Sequence, residues 1–126
     1  MNILILGGGG REHALAWAVL QNPKCDRLVV APGNAGIAGI AETARLDIED
    51  GAAVAEFAGE TAIDLVVIGP EAPLAAGVAD ACRAAGIAVF GPDRAAAMVE
   101  TSKSFAKDLC DATGAPTAAT TRALPA

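Results

Sequence analysis

The sequence predicts an α/β fold: a Rossmann-like, doubly wound parallel sheet of about five strands with helices on both faces. Three observations carry this. Short runs rich in Val, Ile and Leu alternate with Ala-rich segments of helical length, the pattern of βαβ units joined by right-handed crossovers. Hydrophobic residues make up 53% of the chain, yet it holds only three Phe, one Trp and no Tyr. Its core must therefore be built from small aliphatic side chains, as in a sheet covered by helices. Finally, the first strand-like run leads directly into four glycines, Gly7–Gly10, a junction suited to binding phosphate.

The elements follow in order. Asn2–Leu6 (NILIL) reads as the first strand. Glu12–Gln21 is an amphipathic helix ended near Asn22-Pro23, because proline cannot continue the helical hydrogen bonds. Arg27–Ala31 is the second strand, stopped by Pro32-Gly33-Asn34, and a weaker third strand is placed near Ala44–Leu46. Asp50 is positioned to cap a helix through Ala58, with Gly59 near its C-terminus. Asp64–Ile68 (DLVVI) is the clearest strand, bounded by Gly69-Pro70. Leu74–Ala85 reads as one helix ended by Gly86, and Ile87–Phe90 as a strand before Gly91-Pro92. Further on, Arg94–Met98 reads as a short helix, with Thr101 or Ser102 capping another that reaches about Cys110. The stretch TGAPTAATTRALPA has no period and reads as a linker, and no internal repeat is visible. Residues 1–100 thus form one domain, with 101–126 leading away from it. The expected strand order is 3-2-1-4-5, which sets the first and fourth strands together at the switch point where ligands bind in open α/β sheets.

Composition excludes several classes. A net charge of −6 argues against a nucleic-acid partner. Cys25, Cys82 and Cys110 are far apart and accompanied by a single histidine, so they make no zinc set and read as reduced structural thiols. No apolar run approaches the roughly 20 residues that span a bilayer, and the start lacks the features of a signal peptide. The expectation is a soluble cytoplasmic domain with no membrane partner.

The glycine loop fits neither of the two common phosphate-binding patterns. The dinucleotide fingerprint G-x-G-x-x-G/A fails in every frame: from Gly7 the sixth position is Glu12, and from Gly8 it is His13. From Gly9, Ala14 fits but Arg11 occupies the second glycine position. Pro32-Gly33-Asn34 also stands where an acid for the ribose would be needed, and no Gly-Lys-Ser/Thr follows the loop. The loop is nonetheless suited to phosphate, since glycine N–H groups can approach an anion at a helix N-terminus and Arg11 can add a bidentate contact. The alternative is a tight turn with Arg11 and Glu12 on a solvated face, which poorly explains the backbone entropy of four glycines. His13 suits packing at least as well as chemistry.

Glu71 stands between Pro70 and Ala72-Pro73, where prolines restrict the backbone and would aim its carboxylate toward an amine or sugar hydroxyls. It reads equally as an exposed turn acid. Gly69 and Pro70 line the same crevice. Asn34, in PGNAG, is either a ligand contact or a turn residue tolerant of left-handed backbone. Trp17, the cysteines and the methionines are assigned to packing.

Taken in order, GGGGREHALAW, APGNAG, VIGPEAPLAAGV, FGP and SKSFAKD resemble the N-terminal part of the phosphoribosylamine–glycine ligase (glycinamide ribonucleotide synthetase) family, over nearly the whole chain. The resemblance implies an ATP-grasp ligase of purine biosynthesis that joins glycine to 5-phosphoribosylamine with ATP and Mg²⁺, through a glycyl phosphate. It implies that Gly8, Gly9, Gly10, Arg11 and Glu12 surround the 5′-phosphate and ribose, with Asn34, Gly69 and Pro70 beside them. Glu71 would hold the sugar or orient the attacking amine, and Lys103 would be a nucleotide-binding lysine. It further implies an N-terminal piece: a pre-ATP-grasp domain plus the start of the next from residue 101. Such a piece is expected to be inactive alone and to bind neither ATP nor Mg²⁺ tightly, its partners being the ATP-grasp and C-terminal domains of the same chain. The residues themselves leave open a stand-alone phosphosugar- or nucleotide-binding regulatory module. An oxidoreductase is disfavoured by the failed fingerprint.

Overall fold

A computed structural model describes residues 1–121 and 123. Of the stretch read as a linker, Arg122 and residues 124–126 lie outside the described residues. In chain order the elements are β1 (Asn2–Gly7), α1 (Gly10–Leu20), β2 (Arg27–Pro32), α2 (Ala35–Ala38), β3 (Glu42–Thr43) and α3 (Gly51–Glu60). They continue with β4 (Leu65–Ile68), α4 (Glu71–Ala75), α5 (Val78–Ala84), β5 (Ala88–Phe90), α6 (Arg94–Thr101) and α7 (Lys103–Thr113). The five strands pair in parallel in the order β3-β2-β1-β4-β5, as the alternation of strands and helices predicted.

The period-two alternation of each strand sorts its side chains between two cores. Leu4, Leu6, Val29, Ala31, Val66 and Ile68 face one side, where α3 supplies Val54 and Ala58 and α5 supplies Val78, Ala79 and Cys82. Ile3, Ile5, Leu28 and Val30 face the other, covered by Ala16 of α1 and Ile37 of α2. Leu4, Ile5 and Leu6 are completely buried, so the central strand is apolar on both faces, as a covered parallel sheet requires. Burial also pushes the Cys82 thiol above its ordinary pKa.

Several boundaries differ from expectation. The third strand is not Ala44–Leu46 but Glu42–Thr43, paired with Val29 and Val30 at the sheet edge. Ala44 and Leu46 instead pack on the core from the following loop, which is why they looked like strand residues. The single helix Leu74–Ala85 is two helices, because Gly77 adopts left-handed backbone (φ +84) between α4 and α5. The first of these starts at Glu71 rather than Leu74. Helix α2 went unpredicted, since four residues are too short to show a helical period. Helix α1 begins at Gly10, two residues early, and α6 and α7 extend to Thr101 and Thr113. The Asp50 cap is present, its carboxylate accepting from the Ala53 N–H at 3.1 Å. Ser102, rather than Thr101, caps α7.

Candidate functional site

Register brings the site together. Leu6 of β1 pairs with Ala31 of β2 on one side and Ile68 of β4 on the other, so the three strands finish level. Gly33 N–H donates to the Gly7 carbonyl (3.1 Å) and Gly69 N–H to the Leu6 carbonyl (3.2 Å), extending both ladders past the strand ends. Three loops therefore meet in one crevice: 7–10, 33–34 and 69–70. The Ala31–Pro32 peptide at its edge is cis.

The four glycines do different jobs. A Cβ at Gly8 would stand 2.6 Å from the Gly33 carbonyl oxygen, so that position is a close backbone approach between two loops. Cβ atoms at Gly7 and Gly9 would lie 2.6 Å and 3.0 Å from the Glu12 side chain. Only Gly10 has open space where its side chain would be. The backbone N–H groups of Gly8, Gly10 and Arg11 donate to nothing among the described residues. Gly10 and Arg11 sit in the first turn of α1, where such free N–H groups and the helix dipole favour an anion.

Glu12 is the one buried charged residue among those described, with 4% exposure. Its Oε2 accepts from Gly9 N–H at 2.8 Å and its Oε1 from Arg11 Nε at 3.2 Å. The first contact is one half of a capping box, and Gly9 has no side chain with which to complete it. The carboxylate is turned under the loop, where it also meets Gly69. Arg11 is more than half exposed, and its Nη1 reaches Glu71 Oε1 at 4.0 Å. Glu71 stands half-exposed on the first turn of α4. Cation and carboxylate thus face each other across the crevice, a pairing visible in sequence only as opposite charges after two neighbouring strands.

Asn34 uses both ends of its amide within the scaffold. Its Oδ1 caps α2 by accepting from Ile37 N–H (2.9 Å), and its Nδ2 donates to the Gly8 carbonyl (2.8 Å). It latches the second loop to the first. His13 packs against Gly36, where a Cβ would come within 2.9 Å of its ring. None of the contacts described between the three loops involves Lys103. It opens α7 and lines a shallow cavity of about 240 Å³ with Ser104, Lys107, Thr120, Thr121 and Ala123. Among the described residues there is no cluster of three His, Cys, Asp or Glu placed to hold a metal. None of their helices is long and apolar enough to cross a membrane.

A model of the family described as phosphoribosylglycinamide synthetase, N domain, matches residues 1–100. The chain belongs to this family. Phosphoribosylamine–glycine ligase of Agrobacterium fabrum is 61% identical over 119 residues, which cover 94% of this chain and 28% of that protein. The chain thus spans between a quarter and a third of the length of the curated relatives it matches. The crystal structure of phosphoribosylamine–glycine ligase from Thermotoga maritima superposes with a TM-score of 0.64 at 27% identity, over 90% of this chain and 25% of that one. N5-carboxyaminoimidazole ribonucleotide synthetase from Thermus thermophilus superposes with a TM-score of 0.60, also at 27% identity, over 91% of this chain and 31% of that one. The glycine loop, the Asn34 latch and Glu71 all lie within the part that matches the synthetase N domain.

Proposed function

We propose that this chain forms the phosphoribosylamine side of the site of an ATP-dependent ligase that joins glycine to 5-phosphoribosylamine. The observation that carries the proposal is the crevice itself: free N–H groups of Gly8, Gly10 and Arg11, an arginine, and a carboxylate facing it from the first turn of α4. The 5′-phosphate lies over the Gly10 opening against those N–H groups and the Arg11 guanidinium. Phosphate competes well for Arg11, since its existing partners are one carboxylate beneath and one 4.0 Å away. Glu71 then receives the ribose or amine end. An amine must be neutral to attack an acyl group, and a carboxylate at that end accepts its proton.

The names of the relatives support a phosphoribosyl substrate, and the family supports a ligase. ATP-grasp chemistry, with ATP supplying the phosphoryl group that activates glycine, is part of the proposal. Lys103, exposed on the first turn of α7 beside Lys107, has the charge and freedom to meet a nucleotide phosphate. The described residues offer no set for Mg²⁺, and no step of the reaction is assigned to it. A cytoplasmic location is proposed for the same enzyme.

Calorimetric titration with ribose 5-phosphate, compared with NAD and ATP, tests the reading. Saturable binding of ribose 5-phosphate is expected, weakened by about 1.5–3 kcal/mol in Arg11→Ala, the scale of charge-assisted hydrogen bonds. NAD binding in its place would restore a dehydrogenase. An unchanged affinity in the variant would move the phosphate elsewhere.

A further inference from the structure

The structure assigns to Glu12 a positioning role: its buried carboxylate sets the direction of Arg11 and clamps the glycine loop through the Gly9 N–H, packed against the Gly69 turn. The substrate consequence rests on the reading of the crevice given above, whereas the clamp itself does not.

Three glycines from two distant places in the chain surround this one side chain. Cβ atoms at Gly7 and Gly9 would approach it to 2.6 and 3.0 Å, and one at Gly69 would stand 2.1 Å from Oε1. The glycines after β1 and the glycine after β4 are thus moulded around Glu12 rather than around a ligand. A carboxylate this buried must be compensated. Its partners are Gly9 N–H, the Arg11 Nε–H and the N-terminal dipole of its own helix. The bond to Nε is the important one. It holds the guanidinium at its inner edge and leaves both terminal nitrogens free, one of them toward Glu71. An arginine anchored this way loses less freedom when it takes a phosphate, so part of the ordering cost is met before the ligand arrives.

Glutamine separates this role from simple packing. It keeps the shape of Glu12 but has one acceptor oxygen and one NH₂ group. The oxygen stays with Gly9 N–H, because that donor has no alternative, while exposed Arg11 can swing to water. Glu12→Gln therefore keeps the loop and releases the arginine.

Two measurements decide the matter. In ¹⁵N spectra of the ligand-free chain, the Arg11 Nε–Hε signal should be protected from exchange in the wild type and lost in Glu12→Gln, with Gly9 amide protection retained. A signal that persists in Glu12→Gln overturns the assignment, whatever binds. In titrations with ribose 5-phosphate, Glu12→Gln should weaken binding about 3- to 10-fold, part of what a charge-assisted contact contributes. The Arg11→Ala/Glu12→Gln double variant should bind within about twofold of Arg11→Ala alone, because Glu12 acts through Arg11. Additive losses would overturn the positioning role. If the wild type does not bind ribose 5-phosphate yet the Arg11 signal depends on Glu12, the functional reading fails and the clamp stands.

Discussion

Gly69 and Gly10 are chemically identical residues with opposite constraints. At Gly69 a methyl group would stand 2.1 Å from the Glu12 carboxylate, whereas at Gly10 nothing lies within 4 Å. Gly69→Ala should therefore destabilise the fold by about 1–3 kcal/mol, the usual scale of overpacking, measured by urea unfolding. Gly10→Ala should leave stability unchanged or raise it by up to about 1 kcal/mol, because alanine loses less backbone entropy in the first turn of a helix. If the phosphate lies over this open position as proposed, the added methyl group should weaken ribose 5-phosphate binding although folding does not suffer. Equal affinity for wild type and Gly10→Ala would place the phosphate away from that opening.

At the scale of elements, the ends of α3 and the grip on β3 make the sharpest tests. Helix α3 closes with Ile63 N–H on the Ala58 carbonyl (2.8 Å) and Ala62 N–H on that of Gly59 (3.3 Å). This is a Schellman arrangement, but its left-handed residue is Ala62, at φ +53, where glycine is usual. The matching closure of α5 uses Gly86, at φ +77. Ala62→Gly relieves left-handed strain of about 1–2 kcal/mol against a backbone-entropy cost of about 0.4–1 kcal/mol. A gain in stability of up to about 1 kcal/mol is expected, and a loss would mean that the strain is not there. At the sheet edge, Arg27 holds Glu42 through Nε (3.0 Å) and Nη2 (2.7 Å). The hydrogen bonds from Arg27 lower the Glu42 carboxyl below its ordinary 4.5. A lowered folded value means that the contribution is present above the ordinary value and is lost as pH falls through the lowered one. The difference in melting temperature between wild type and Glu42→Gln should be small, largest above about pH 4.5, and should close as acid is added.

For the molecule as a whole, the proposed function predicts that folding and chemistry separate at Glu71. The side chain is half-exposed and its ion pair is long, so Glu71→Gln should change stability by less than about 1 kcal/mol. In a full-length phosphoribosylamine–glycine ligase carrying this domain, the same change should lower kcat/KM for phosphoribosylamine by roughly 10²-fold or more, as for loss of a general base or an amine-orienting group. The assay is phosphate release dependent on ATP and glycine, with freshly generated phosphoribosylamine. Near-normal turnover would remove Glu71 from the mechanism.

The sequence alone determined the parallel α/β class, the strands bearing the longest apolar runs and the Asp50 cap; the strand order was an expectation drawn from doubly wound sheets, and the structure bears it out. The first three depend on local patterns: period-two burial in NILIL and DLVVI, a capping acid, and connections long enough for crossovers. The sequence also marked Gly7–Gly10, Arg11 and Glu71 as one neighbourhood, because the switch point follows from the expected strand order. Tertiary structure decided the rest. Glu42–Thr43 is a strand only because β2 offers it an edge, and Ala44 and Leu46 pack on the core without being one. Leu74–Ala85 has the composition of a single helix, and only the structure shows Gly77 turning in left-handed backbone between α4 and α5. Above all, the purpose of each glycine was illegible in sequence. Gly7, Gly9 and Gly69 make room for one buried carboxylate, Gly8 for a neighbouring carbonyl, and Gly10 for open space. Which atom a missing side chain would have struck is a contact between residues far apart in the chain, and local pattern carries no information about it.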